Sequence, residues 1–73
     1  MNQIKPKGLQ ALRENYPKGT RVKLISMDDP YAKIPPFTKG TVQFIDDMGT
    51  RHIKWDNGST LGVVYGVDTI VKI

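Results

Sequence analysis

His52 is the one histidine in a chain of 73 residues that has no cysteine, so acid–base and nucleophilic chemistry have few side chains to draw on. It stands in an alternating run that puts it on the outward face of a strand beside Ile45, where a solvated role outweighs that of a general base. A nucleophile would have to be Ser26, Ser59 or a threonine, and none lies in a motif that would activate it. The carboxylate pairs Asp28-Asp29 and Asp46-Asp47 have the oxygens for a divalent cation, but adjacent acids in turns mostly shape those turns, and calcium-loop spacing is absent. The glycines lie ahead of strands and lead into no helix, so they form no phosphate-binding loop. These residues point away from an enzyme and imply no cofactor and no metal.

Binding chemistry is better represented, in two sets of side chains. Tyr31, Phe37, Trp55 and Tyr65 come from loops or strand ends and would line an aromatic groove for a protein or peptide, between the long first loop and the last turn. The plainer reading puts Trp55 in the core with its indole N–H on a backbone carbonyl, and uses Tyr31 or Phe37 to hold the loop down. Arg21, Lys23, Lys54 and Lys72 fall within strands and would form a basic face for nucleic acid, with His52 and Tyr65 as stacking candidates. Here the plainer reading is solvation and the protection of sheet edges by lysine. A third use, an apolar contact with a folded partner through Ile45 and Met48, has less to recommend it, since single exposed apolar residues are ordinary. The expectation is a non-enzymatic, monomeric binding module, with a peptide partner first and nucleic acid as the alternative.

The elements that must position these residues follow from periodicity. Residues 1–5 carry no pattern, and a short helix is predicted over 6–16: Pro6 suits a first turn, Leu9, Leu12 and Tyr16 recur at helical spacing, and Pro17 stops it. So short a helix must dock, and Leu9 and Leu12 are its expected contact, making a lid over one end of the domain. From Gly19 the period becomes two. Val22 and Leu24 alternate with Arg21 and Lys23 in a first strand. Residues 27–39 hold three prolines and read as a long loop.

A second strand over 41–46 puts Val42 and Phe44 inward, paired with Trp55 and Ile53, and leaves Met48-Gly49 as a two-residue loop. At the next turn an Asp56-Asn57-Gly58 loop sets Trp55 opposite Ser59 and Ile53 opposite Leu61, which keeps Val63 inward and calls for Gly58 in the left-handed region. Residues 65–68 read as one helical turn, and 69–73 as the last strand. The likeness of Lys18-Gly19-Thr20 to Lys39-Gly40-Thr41 marks two similar turn-to-strand openings. Residues 17–73 thus give an all-β, five-stranded SH3-like barrel, one domain in all, with a short N-terminal helix.

Eleven bases against seven acids leave a formal charge of +4, a mild excess far from a basic tail. Six of the acids, Asp28, Asp29, Asp46, Asp47, Asp56 and Asp68, fall in segments read as turns. No apolar run approaches the roughly 20 residues that span a bilayer, so a cytoplasmic protein without membrane contact is expected.

Several segments in order resemble one family: Tyr16-Pro17-Lys18-Gly19-Thr20-Arg21-Val22, Met27-Asp28-Asp29-Pro30, Gly40-Thr41-Val42, Asp46-Asp47-Met48-Gly49 and Trp55-Asp56-Asn57-Gly58-Ser59-Thr60-Leu61. They are similar to the bacterial domain of unknown function 4314, over residues 16–73. Pro36-Phe37-Thr38 departs from the Pro-Gly-Thr expected there. The resemblance implies a bacterial or phage-borne protein and supplies no activity.

Overall fold

The computed structural model describes residues 4–28 and 34–73. Along the chain run α1 (Pro6–Asn15), β1 (Arg21–Ser26), β2 (Lys39–Ile45), β3 (Arg51–Trp55), β4 (Gly62–Val63) and β5 (Thr69–Lys72). The strands form one antiparallel sheet in the order β4-β3-β2-β1-β5. The all-β class and the five strands are those the alternation predicted, and the last strand returns beside the first.

One face of this sheet holds the core, which gathers Val22 and Leu24 of β1, Val42 of β2, Ile53 and Trp55 of β3, Val63 of β4 and Ile70 of β5. Ile34, from the end of the long loop, joins them. Trp55 is the largest of the fully buried side chains, and its indole N–H donates to the Leu61 carbonyl at 2.9 Å. Its polar edge is therefore satisfied, and burial of a side chain of this kind contributes on the order of 2–3 kcal/mol.

Helix α1 departs from the expected docking. It buries no residue, and Leu9 and Leu12 are only half-covered. Two leucines on so short a helix bury too little to fix it. Arg13 ties it to the β2–β3 hairpin instead, donating to the Ile45 carbonyl at 3.2 Å and to Asp47 Oδ1 at 2.8 Å. Tyr16, just past the helix, supplies the contact with the core.

The β3–β4 hairpin has the predicted register. The N–H of Trp55 donates to the Ser59 carbonyl and that of Gly58 to the Trp55 carbonyl, Arg51 faces Val63, and Gly58 has φ +94°. This is a three-residue loop closed by a bulge whose first residue lies in the left-handed region.

The β2–β3 hairpin repeats that device where a two-residue loop was expected. The N–H of Asp46 donates to the Thr50 carbonyl and that of Gly49 to Asp46, with Gly49 at φ +86°. The pairs are Gly40 with Trp55, Val42 with Ile53, Phe44 with His52 and Ile45 with Arg51, and Gln43 is an extra residue between the second and third. One inserted residue reverses the alternation from there on. Phe44, expected inside, is 56% exposed, whereas Ile45, expected outside, is 8% exposed. The apolar contact envisaged for Ile45 with Met48 is thereby withdrawn.

Two smaller corrections concern turns. Residues 65–68 form a hydrogen-bonded turn with Gly66 at φ +78°, a left-handed residue that a helical turn excludes. Gly40 is a buried strand residue, so its likeness to Gly19 is one of letters alone.

Candidate functional site

Of the aromatic set, Tyr31 lies outside the described residues. Trp55 is 1% exposed and so offers a ligand no ring face. Phe37 is 66% exposed and stands beside Lys23, whose Nζ is 5.9 Å from the ring centroid. Tyr65 lies against Gly49, in the turn of the β2–β3 hairpin. The groove as envisaged loses its centre to the core.

Of the basic set, Arg21, Lys23 and Lys54 share the outward face of the sheet, because Arg21 pairs with Thr41 and Thr41 with Lys54, while Lys23 pairs with Lys39. Lys72 does not join them. It pairs with the buried Val22, which turns it to the other side of the sheet, and its Nζ lies 5.8 Å from the Tyr16 ring centroid. Lys39 takes its place on the outward face, a residue that sequence reading assigned to the end of a loop.

The bulge at Gln43 adds an aromatic element to this face. The rings of Phe44 and His52 stack with centroids 4.2 Å apart and planes 10° from parallel. Nε2 of His52 is 3.0 Å from Asp46 Oδ2, and since an ionised carboxylate can only accept, the imidazole donates there. Asp46 Oδ1 accepts the N–H groups of Met48 and Thr50 at 3.0 Å each. The His52 hydrogen bond, with these two backbone bonds beside it, holds the Asp46 carboxyl below its ordinary value. The Asp46-Asp47 pair, read in the sequence as turn-forming, is engaged within the fold, with Asp46 on His52 and its own turn and Asp47 on Arg13. The imidazole is fixed in plane, with one face on Phe44.

Arg21 is also engaged. Its guanidinium forks onto Asp56, Nη1 to Oδ1 at 2.8 Å and Nη2 to Oδ2 at 2.7 Å, and Nη1 reaches Thr41 Oγ1 at 2.9 Å. This pairing raises the Arg21 value and lowers that of Asp56. The lysines at 23, 39 and 54 are left as the more adaptable charges of the face.

A second cationic centre, missed in the sequence, lies inside. Arg51 is buried, its guanidinium carbon 5.4 Å from the Tyr16 ring centroid. Burial lowers its value, opposed by Tyr16, Asp68 and Tyr65. Asp68 accepts the N–H groups of Asp28 and Val64, which joins the long loop to the last turn. These contacts hold the domain's end together. The inward parity of β3, which carries Arg51 with Ile53 and Trp55, was the signal available for it.

The model of one family, Domain of unknown function (DUF4314), matches residues 5–73. The chain belongs to that family. No curated protein matches it. The DUF4314 match covers the helix as well as all five strands, whereas the resemblance seen in the sequence began at Tyr16. Among the described residues no helix is long and apolar enough to cross a membrane, and no group of three or more metal-ligating side chains is found.

Proposed function

We propose that this chain is a non-enzymatic binding module whose outward sheet face takes up nucleic acid. One observation carries the reading: the Phe44–His52 ring pair, with Phe44 exposed and His52 half-buried, lies on the face that also presents Lys54, Lys39 and Lys23. Aromatic rings receive bases, and lysines neutralise the phosphates between them. The peptide groove is weaker because Trp55 is consumed by the core. The excess of bases over acids favours an anionic partner. A monomer in a bacterial cytoplasm, where such partners abound, completes the proposal.

Fluorescence anisotropy of labelled oligonucleotides, measured across a salt series, tests it. The logarithm of the association constant should fall linearly with the logarithm of salt concentration, and Lys54→Ala should lower that slope by about one. Phe44→Ala should weaken binding and leave the slope in place. Binding indifferent to salt, or none to any oligonucleotide, would reject the reading and return the exposed aromatics to a peptide.

A further inference from the structure

Phe37 occupies a backbone position made for glycine. Four times among the described residues a residue at positive φ donates its N–H to the carbonyl of a residue facing it, while the next residue's carbonyl accepts the facing residue's N–H. The pairs are Gly19-Thr20 on Val42, Gly49-Thr50 on Asp46, Gly58-Ser59 on Trp55 and Phe37-Thr38 on Leu24. Glycine fills the first place three times, at φ +93°, +86° and +94°, and phenylalanine once, at φ +71°. The approach is duplicated as well. Thr20 directs both its N–H and its hydroxyl to the Pro17 carbonyl, and Thr38 directs both to the Pro35 carbonyl.

A side chain at positive φ is strained, and a β-carbon there serves no backbone purpose. The phenyl ring does not repay the strain by filling the core, since two-thirds of the residue is exposed. Strain kept at an exposed aromatic residue points to a ligand.

We infer that Phe37 is a second base-stacking platform on the outward face, so that the ligand is a single strand of nucleic acid laid from the Phe44–His52 pair past Lys39 and Lys23 to Phe37. This rests on the nucleic-acid reading of that face and adds the strandedness and the far anchor. Lys39, the partner of Lys23, stands five positions before Phe44 on β2, about 16 Å at the usual rise of a strand. Two platforms so far apart can each take a base only from a strand whose bases are free of their own stacking partners. The lysines between the rings supply the charge complement to its phosphates.

The experiment measures the intact chain by anisotropy against labelled oligothymidylates of increasing length and against a duplex, with Phe37→Gly, Phe37→Asn and Phe37→Trp beside the natural sequence. Glycine and asparagine are both at home at positive φ, so these two variants should melt at or above the natural temperature and bind single strands about five- to one-hundred-fold more weakly. Phe37→Trp should keep the affinity. Affinity should climb with length up to at least about four nucleotides, and the duplex should bind more weakly than the single strand. Unchanged binding by Phe37→Gly, alongside weakened binding by Phe44→Ala, would overturn the role of Phe37 and leave the nucleic-acid reading standing. A duplex bound as tightly as the single strand would overturn the strandedness. Silence of the natural chain towards every oligonucleotide would overturn both readings.

Discussion

The turns Pro17–Thr20 and Pro35–Thr38 share a frame and differ in what stands third in it. Both begin at a proline carbonyl that receives an N–H and a hydroxyl from a threonine, and both open a bulge against a facing strand. Gly19 meets nothing within 4 Å where its β-carbon would be, so only the backbone angle makes glycine the natural choice there. Phe37 holds the same kind of angle with a full side chain. Folding explains the first turn completely, and the second only in part.

Substitution separates the two turns, and the largest effect should come from the residue that imitates Gly19 in sequence alone. A β-carbon on Gly40 would lie 2.6 Å from Ile53 Cγ2 and 2.9 Å from Trp55 Cε3, so Gly40→Ala should destabilise by about 2–3 kcal/mol through overpacking in urea unfolding. Gly19→Ala, which meets no neighbour, should cost only the left-handed conformation, about 1 kcal/mol. Phe37→Gly should change stability in the opposite sense by about the same amount. Equal signs for these two would dissolve the parallel between the turns. Thr20→Val and Thr38→Val should each lose about 0.5–1 kcal/mol with the hydroxyl bond, and should match one another.

The smallest effect is a pH dependence at the aromatic face. Asp46 is held below its ordinary value in the folded protein, so the unfolded chain binds more protons there. Stability from this group is present above the ordinary carboxylate range and is lost as the pH falls below about 4. Asp46→Asn should flatten that part of a stability–pH curve, read by thermal unfolding in the acid range.

Much of this fold was legible because alternation and turn chemistry agree. Trp55, Leu61 and Val63 share a face only if the turn has three residues, so the β3–β4 register followed from letters alone. The β2–β3 register did not, because Gln43 has nothing in its type that marks a bulge, and a two-residue loop satisfied the apolar pattern equally well. That single residue decides whether Phe44 belongs to the core or to the site. Lys72 misled for a related reason: it stands in the run Ile70-Val71-Lys72-Ile73, where three apolar residues hide which parity faces inward. Phe37 could be located in sequence as the departure from Pro-Gly-Thr, but its strain required a backbone angle.

An amide chemical-shift titration of the isotope-labelled chain with a short single-stranded oligonucleotide tests whether the outward face is the binding surface. Shifts should gather on Lys23, Phe37, Lys39, Phe44, His52 and Lys54, with the Trp55 indole and Val63 unmoved. Shifts centred on Tyr65 and the core-facing end of the sheet, or no shifts at all, would contradict it.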